Sequence, residues 1–394
     1  MAARVRLTVT SGAAAPRELL FDKHDIVTFG RAAHCHYSVP DDPFLSRNHF
    51  LIELNPPACV VMDLGSSNGT CVNGERREGR CELKDGDVVS AGTVEARVAL
   101  EADEPAPEPG DPGEVRTWRK FPGVEVLREL GRGAMGKVFL VRMAASGTSA
   151  VLKTLTLTSV MEADKRGLYF QREMEATKAL RHPHIVAYLD GGRFEGNLYF
   201  LLEFCAGGSL QELMDKRGGK LPLEEAKPLM FQALGALQFA HGLGFVHRDL
   251  KPANVLLSDE GGTLAAKIAD FGLAKNFKLA GMSGVTECGM AAGSLSFVPR
   301  EQLTNFLFTQ PVSDVFSLGA TFYALLSGAK VYDFEGAKAP MEAVLDGRTV
   351  PLAKRNPALP ELLCGVIDKA VAVEPEARHQ SAADFAAELS AALG

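Results

Sequence analysis

The sequence His247-Arg248-Asp249-Leu250-Lys251-Pro252-Ala253-Asn254 is followed, sixteen residues after Asn254, by Asp270-Phe271-Gly272. Together the two stretches contain carboxylates, cations and an amide, which are the polar groups that a phosphoryl-transfer site requires. Metal ions must neutralise the charge of the transferred group, and a carboxylate must accept the proton of the attacking hydroxyl. The two stretches therefore predict phosphoryl transfer as the chemistry of this part of the chain.

A glycine-rich stretch, Gly131-Arg132-Gly133-Ala134-Met135-Gly136-Lys137-Val138, lies earlier in the chain and directly follows a strand-like segment. Glycines let the backbone approach phosphate groups closely, with N–H groups free to point at them. The same glycine spacing occurs in dinucleotide-binding proteins, where a helix must follow the third glycine. Here residues 137–141 read Lys-Val-Phe-Leu-Val, which predicts another strand instead. A phosphate-binding hairpin is therefore favoured.

The next predicted strand is Ala150-Val151-Leu152-Lys153, which places Lys153 seventeen residues after Gly136. With the glycine loop, the strand lysine and the two polar stretches in this order, the chain resembles the protein kinase superfamily over about residues 119–394. The form Asp-Leu-Lys-Pro-Ala-Asn is typical of its serine/threonine-specific members. The resemblance implies a bilobal α+β kinase fold, with ATP as the phosphoryl donor and Mg²⁺ or Mn²⁺ as the metal.

The resemblance also assigns catalytic roles to the residues that match the family's motifs. Asp249 would accept the proton of the substrate hydroxyl, and Lys251 would neutralise the γ-phosphate. Lys153 would hold the α- and β-phosphates, while Asn254 and Asp270 would carry the metal. The stretch that begins at Asp314 is expected to form a buried helix that supports the catalytic loop.

A larger set of residues would surround the nucleotide. Lys153 needs a carboxylate partner on the following helix, and Glu173 is favoured over Glu175 for this role. The alternative interpretation of Glu175 is a solvated charge on a helix face. The backbone at Glu203 and Cys205 would contact adenine, and Cys205 is expected to be a packing residue, not a reactive thiol. The full nucleotide-binding set is Leu130, Gly131, Arg132, Gly133, Ala134, Met135, Gly136, Lys137, Val138, Val151, Lys153, Glu173, Leu202, Glu203, Cys205 and Leu256.

The segment from Asp270 to Glu301 resembles a kinase activation segment and offers three candidate phosphorylation sites. Ser283 and Thr286 lie in its middle. Ser294 stands where the family usually has threonine. A phosphate on Thr286 would pair with a nearby arginine and order the segment.

The N-terminal hundred residues show short alternating strands broken by turns, which predicts a β-sandwich. Two of the turns, those containing Asn68-Gly69 and Asn73-Gly74, carry the Asn-Gly hairpin signal. Phe29-Gly30-Arg31, Ser46-Arg47-Asn48-His49 and Gly65-Ser66-Ser67-Asn68-Gly69-Thr70 resemble the motifs of a forkhead-associated (FHA) domain. By that resemblance, phosphothreonine would be bound by Arg31, Ser46 and Ser67, and the peptide backbone by Arg47 and Asn68.

Composition separates the two parts of the chain. Net charge is −7 over 394 residues, and residues 101–114 hold six acids and four prolines without any Lys or Arg. The remainder is nearly neutral, which argues against nucleic acid as a partner. The predicted domains are an FHA-like sandwich at 1–100, a linker at 101–118 and a kinase domain at 119–394, with its lobes at 119–204 and 205–394.

Cysteine usage and hydropathy bear on the compartment. The seven cysteines contain no Cys-x-x-Cys pair, which favours reduced thiols in the cytoplasm over structural zinc. The longest apolar runs are too short for a membrane span, so no membrane partner is expected.

The sequence therefore predicts an ATP-dependent, non-specific serine/threonine protein kinase with a phosphothreonine-binding module. Its expected partners are protein substrates and a phosphothreonine-containing protein or its own activation loop, and a transient kinase dimer is compatible with them. A pseudokinase scaffold that works only by binding phosphopeptides is the alternative, which the presence of Lys153, Asp249, Asn254 and Asp270 together disfavours. A small-molecule phosphotransferase is disfavoured by Lys251-Pro252 and the full activation segment.

Overall fold

The computed structural model describes the greater part of the chain. The described residues are 4–11, 17–21, 25–32, 35–56, 58–77, 80–101, 121–133, 136–155, 178–194, 197–271, 295–304, 309–335 and 340–394. They belong to two compact units. The first comprises Met1–Pro105, Lys278–Ser313 and Lys330–Val350, and the second comprises Ala106–Phe277, Asp314–Ala329 and Pro351–Gly394.

The strands concentrate in the N-terminal half of the chain. In chain order they are β1 Arg4–Ser11, β2 Arg17–Phe21, β3 Asp25–Gly30, β4 Tyr37–Ser38, β5 Phe50–Asn55, β6 Ala58–Asp63, β7 Thr70–Val72, β8 Glu75–Arg77, β9 Arg80–Leu83, β10 Val88–Ala91, β11 Val94–Glu101, β12 Val124–Gly133, β13 Gly136–Met143, β14 Ser149–Leu155, β15 Tyr188–Phe194, β16 Asn197–Glu203, β17 Val255–Glu260 and β18 Thr263–Ile268.

The helices whose bounds the structure gives within the described residues follow β16. They are α1 Leu210–Lys216, α2 Leu223–Gly242, α3 Arg300–Thr304, α4 Pro311–Ser327, α5 Pro340–Leu345, α6 Leu352–Arg355, α7 Glu361–Ala370 and α8 Ala382–Leu393. Two short 3₁₀ turns, Pro252–Asn254 and Pro375–Ala377, interrupt the loops between them. None of the helices in the described part of the chain is long and apolar enough to cross a membrane.

In the first unit, the N-terminal strands form a β-sandwich. One sheet has the order β2-β1-β11-β10-β7-β8, and the other has the order β4-β3-β5-β6-β9. Alternate residues point inward from both sheets, as in the run Val5, Leu7 and Val9 of β1, which is fully buried. Phe29 and Phe50, on neighbouring strands, stack with ring centroids 4.4 Å apart in the shared core.

The two Asn-Gly turns of the sandwich differ. Asn73 and Gly74 both have positive φ, +52° and +81°, and join the paired strands β7 and β8 as a two-residue hairpin, as expected. The hairpin prediction for Asn68-Gly69 is wrong, because the strands on either side, β6 and β7, belong to different sheets. That turn lies in a loop that crosses between the sheets.

The second unit begins with an antiparallel sheet of order β12-β13-β14-β16-β15. Strand β13 follows the glycines directly, so the hairpin prediction is confirmed and the dinucleotide-binding alternative is excluded. Helix α2 buries an apolar stripe with helical spacing, which includes Ala226, Leu229, Met230 and Ala233. This sheet, followed by helices, forms the framework from which the catalytic residues project.

Candidate functional site

The loop after α2 fixes the carboxylate of Asp249. Its Oδ2 accepts hydrogen bonds from Lys251 Nζ at 3.1 Å and from Asn254 Nδ2 at 3.0 Å. Asn254 Nδ2 also donates to the carbonyl oxygen of Asp249 at 2.8 Å. Two donors on one oxygen hold the carboxylate in one orientation, and the ammonium of Lys251 places positive charge beside it.

A second ion pair connects the sheet to the Asp-Phe-Gly stretch. Lys153, on β14, donates from Nζ to Asp270 Oδ1 at 2.8 Å. Desolvation alone would raise the pKa of Asp270, but the charge and the hydrogen bond of Lys153 outweigh it and lower the pKa below its usual value. Asp270 is therefore an anion throughout the neutral range.

The arrangement fits a divalent cation. Because Asn254 uses its amide nitrogen toward Asp249, its oxygen Oδ1 is directed away from that carboxylate. Asp270 uses only Oδ1 toward Lys153, and its Oδ2 has no hydrogen-bond partner in the described part of the chain. Amide and carboxylate oxygens are the ligands that Mg²⁺ and Mn²⁺ prefer, so these two side chains can hold the metal.

The carboxylate of Asp314, near the start of α4, anchors the backbone of the catalytic loop. It is fully buried. Its Oδ2 accepts from the backbone N–H of His247 and its Oδ1 accepts from the N–H of Arg248, both at 2.7 Å. His241 Nε2 lies 2.9 Å from the same carboxylate. The loop backbone is thus anchored directly before Asp249, in the manner that the kinase resemblance implies.

His247 is a structural residue in this loop. Its Nδ1 accepts from the N–H of Asp249 at 3.2 Å, so Nε2 carries the proton and donates to Ala269 O at 2.8 Å. Complete burial lowers the pKa of His247 despite the neighbouring carboxylates. Its ring also packs edge-on against Phe271, with centroids 4.7 Å apart. A neutral imidazole with both nitrogens engaged connects the catalytic loop to Asp270 and does not act as a base.

Two residues of the site adopt a left-handed backbone conformation. Arg248 has φ +67° and Asp270 has φ +62°. Side chains with a Cβ reach this region at a cost of about 1 kcal/mol or more, and such residues concentrate at functional sites. The anchors on either side, Asp314 and Lys153, hold both residues in place.

The residues expected around ATP lie on the first strands of the second unit. Strand β12 ends with Gly131, Arg132 and Gly133, and strand β13 begins with Gly136, Lys137 and Val138. Gly133 and Gly136 are paired across the two strands. Val151 is on β14 and pairs with Leu202 on β16. Leu130 is partly exposed, and Leu256 lies on β17. No sequence pattern indicated the role of Thr154. Its buried hydroxyl accepts from Lys137 N and donates to Lys137 O, both at 3.1 Å, and fixes the base of the hairpin.

Contacts of the Glu203 side chain fix the segment at Glu203 and Cys205 in place. Glu203 accepts from Ala187 N at 3.0 Å and pairs with Lys267, on β18, at 3.0 Å. Its side chain is thereby fixed toward Ala187 and Lys267, and its backbone N–H donates to Ala187 O at 2.9 Å. Burial, helped by the charge of Glu203, raises the pKa of the Cys205 thiol to about 12. Cys205 is accordingly a packing residue.

The residues expected to bind phosphothreonine meet at one end of the sandwich. Arg31 follows β3, and its N–H donates to Ser46 O at 3.0 Å. Ser46 Oγ accepts from Ser67 N at 3.0 Å, and Asn68 Nδ2 donates to Phe44 O at 2.8 Å. Three separate loops therefore meet at Arg31, Ser46, Ser67 and Asn68.

The side chains of His49 and Asp63 hold these loops. His49, fully buried, accepts from Ser46 N through Nδ1 at 3.0 Å, and its Nε2 lies 3.1 Å from Gly69 O. Asp63 accepts from Gly65 N, Ser66 N and Oγ, and Thr70 Oγ1, at 2.6 to 2.9 Å. Burial would raise the pKa of Asp63, but these hydrogen bonds outweigh it and lower the pKa. His49 and Asp63 are therefore structural residues of this site, and no local sequence pattern indicates the role of Asp63.

Comparisons with known proteins agree with this geometry. The protein kinase domain model matches residues 124–388. The chain belongs to the protein kinase family. The FHA domain model matches residues 27–92, so an FHA domain precedes the kinase domain.

Curated relatives of this protein kinase include bacterial enzymes. It is 34% identical over 69% of its length to serine/threonine-protein kinase PknJ of Mycobacterium tuberculosis, of which the match covers 46%. It is 31% identical over 68% of its length to serine/threonine-protein kinase PrkC of Bacillus subtilis, of which the match covers 40%. The chain thus spans about half the length of these relatives.

Solved structures agree with the fold. The crystal structure of the Mycobacterium tuberculosis PknI kinase domain superposes with a TM-score of 0.52 at 29% identity, and the match covers 69% of this chain and 97% of that one.

Several predicted positions lie outside the described residues. They are Ala134 and Met135 of the glycine loop, Glu173, the candidate phosphorylation sites Ser283, Thr286 and Ser294, and the linker from residue 102 onward. These positions, and the domain boundaries, remain predictions.

Proposed function

We propose that this chain is an ATP-dependent serine/threonine protein kinase that uses Mg²⁺ or Mn²⁺ and reads phosphothreonine through its FHA domain. One observation carries the proposal. Lys251 and Asn254 orient the Asp249 carboxylate, while Lys153 pairs with Asp270 at 2.8 Å. These are the groups that phosphoryl transfer to a hydroxyl requires, each with the partner that its role demands.

The proposed roles follow from those contacts. Asp249 would accept the hydrogen bond of a serine or threonine hydroxyl, orient its oxygen and receive its proton. Lys251, beside it, would offset negative charge on the transferred group. Lys153 would hold the nucleotide's phosphates, and Asn254 and Asp270 would hold the metal. The metal, when bound, supplies positive charge that stabilises the transferred phosphoryl group.

The same contacts disfavour the pseudokinase scaffold. A protein that only binds phosphopeptides has no need for a lysine on β14 paired with the metal-binding carboxylate. Serine and threonine are the proposed acceptors because Lys251 is the serine/threonine form of the loop. The proposed compartment is the cytoplasm, since buried thiols such as Cys59 and Cys205 fit a reducing environment.

Incubation of the purified full chain with labelled ATP and Mg²⁺ tests the proposal. We expect phosphate to be incorporated into serine and threonine, with the sites mapped by mass spectrometry. Chelation of the metal is expected to abolish incorporation, and added Mn²⁺ to restore it. Phosphotyrosine as the main product on a peptide array would refute the acceptor assignment, and no incorporation with intact fold would favour the scaffold.

For the FHA domain, the proposed ligand-binding residues are Arg31, Ser46, Arg47, Ser67 and Asn68. Two sources of phosphothreonine are proposed, the activation segment through Thr286 and an unrelated phosphorylated protein. Calorimetry with a phosphopeptide of residues 279–293 separates them, with the unphosphorylated peptide as reference. If phosphorylation does not improve binding, or if Arg31→Ala leaves the affinity unchanged, self-recognition is wrong while the kinase proposal stands.

A further inference from the structure

Asp346, which follows α5, lies against the FHA loops within the first compact unit. Its Oδ1 accepts from Asn48 Nδ2 at 2.9 Å and lies 3.9 Å from Arg47 Nη2. Its Oδ2 accepts from Arg348 Nη2 at 3.0 Å. Only 7% of the Asp346 side chain is exposed. A carboxylate so enclosed needs partners of this kind, because an uncompensated buried charge is costly.

Asn48 depends on this carboxylate. It is 4% exposed. Its amide oxygen lies 3.6 Å from Cys35 Sγ, which donates to it, and its amide nitrogen donates to Asp346. A buried amide left without an acceptor pays the full cost of desolvation, whereas one returned to water does not. The contact therefore favours the docked arrangement over one in which the sandwich keeps Asn48 buried but unpaired.

A neighbouring part of the sandwich meets a second element of the same unit. Helix α3 packs against strand β3. The end of that strand touches the Arg47 backbone, since a Cβ at Gly30 would lie 2.2 Å from Arg47 O. The surface of the sandwich that meets α3 and Asp346 thus comprises β3 and the loop of Arg47 and Asn48.

Arg47 belongs to both this surface and the proposed peptide site. Its side chain remains 68% exposed, so the interaction at 3.9 Å leaves much of the guanidinium accessible. Asn48 immediately follows it. A ligand that binds the Arg47 guanidinium would therefore displace the loop in which Asn48 contacts Asp346.

We propose that Asp346 is an internal partner of the FHA domain, which docks on it through Arg47 and Asn48, and that a phosphothreonine peptide competes with this docking. The competition rests on the proposed role of Arg47 in peptide binding. By reciprocity, the factor by which the peptide weakens docking equals the factor by which docking weakens peptide binding. Removal of the carboxylate is therefore expected to tighten peptide binding.

The test uses the full chain and a pool of peptides with a central phosphothreonine flanked by random residues. Asp346→Ala is expected to bind the pool about fivefold more tightly than the parent chain, within the range usual for coupled sites. Asp346→Asn, which keeps an acceptor for Asn48, is expected to fall between them and guards against loss of fold. Glu335→Gln, an exposed acid of the same segment, removes the same charge and serves as the matched control.

Hydrogen exchange gives a readout that does not depend on the peptide. Amides at 46–49 and 340–348 are expected to exchange faster in Asp346→Ala than in Glu335→Gln. Unchanged exchange together with unchanged affinity would overturn the proposal. If neither the parent chain nor any variant binds the phosphothreonine peptides, the peptide-binding proposal fails. The hydrogen-exchange rates then decide whether the docking exists.

Discussion

At the scale of the residue, the site depends on a few side chains whose partners are fixed. Asp249→Asn replaces the oxygen that Lys251 and Asn254 share, and Lys153→Met leaves Asp270 without its cation. We expect each variant to fold normally and to lose phosphotransfer by about 100-fold or more, because charge and positioning supply most of the catalysis in this reaction.

The measurement is incorporation of labelled phosphate under single-turnover conditions, with thermal unfolding to verify the fold. Lys216→Met, which removes an exposed lysine at the end of α1, is the control for a simple change of charge. Activity close to that of the parent chain in Lys153→Met or Asp249→Asn would contradict the assigned roles.

The thiols provide a second prediction at this scale. Burial raises the pKa of Cys205 to about 12, so its thiolate is scarce at about pH 8. Alkylation by iodoacetamide is therefore expected to be much slower at Cys205 than at the partly exposed Cys81, and to accelerate as the pH rises. Mass spectrometry after brief labelling measures both sites in one sample. Equal rates would mean that the segment at Cys205 opens readily.

Sequence patterns were a better guide to the residues proposed to contact a ligand than to the residues that position other residues. Asp249, Lys251 and Asn254 stand in one short motif, and the structure brings them within hydrogen-bond distance. Asp63 and Thr154 act through contacts that depend on the path of the chain. An isolated aspartate after a strand or a threonine within one carries no local sign of such a partner.

At the scale of the element, helix α4 determines the position of the catalytic loop. Asp314→Ala would leave the N–H groups of His247 and Arg248 buried without an acceptor. Each unsatisfied group costs about 1–3 kcal/mol, so we expect the second unit to lose several kcal/mol of stability and the enzyme to lose most of its activity.

Asp314→Asn keeps one acceptor oxygen, so its stability and activity should fall less than those of Asp314→Ala. Thermal and urea unfolding compare the two variants, with Asp215→Asn, on the exposed face of α1, as the control. If Asp314→Ala unfolds like the parent chain, the anchoring role of α4 is wrong.

Turns show where element-level prediction succeeds and fails. The strand after the third glycine was predictable, because the alternation of Lys-Val-Phe-Leu-Val is local. The hairpin at Asn68-Gly69 was not, because the same dipeptide also suits a loop between sheets. Gly69 has φ +84° and donates its N–H to the nearby Ser66 Oγ, while its carbonyl accepts from His49 in a tertiary contact.

At the scale of the whole molecule, buried and half-buried histidines couple stability to pH. Burial is the main cause that lowers the pKa of His182, His247 and His379 below 6.5. The unfolded chain therefore binds protons more readily than the native one. The stabilisation is complete above the unfolded pKa and is lost as the pH falls below it. We expect the melting temperature to drop between about pH 7.5 and pH 5.5.

Differential scanning calorimetry at a series of pH values measures this drop. Nuclear magnetic resonance of the labelled histidine rings should give midpoints below 6.5 for these three residues. A melting temperature that rises on acidification over this range would contradict the prediction.

The order of the two folds along the chain was predictable from motifs and composition. The internal contact at Asp346 was not, because it joins residues 298 positions apart and neither partner lies in a motif that names the other. Contacts of that kind arise from the shapes of folded surfaces, which a reading of local pattern does not provide.

The left-handed backbone at Arg248 and Asp270 has a consequence for the protein's evolution. Glycine adopts φ values near +67° and +62° without the steric cost that a Cβ imposes. Glycine at position 270 would relieve the backbone but would leave the mostly buried ammonium of Lys153 without its carboxylate. The left-handed backbone and the ion pair are therefore kept or lost together, whether or not the protein is selected for catalysis.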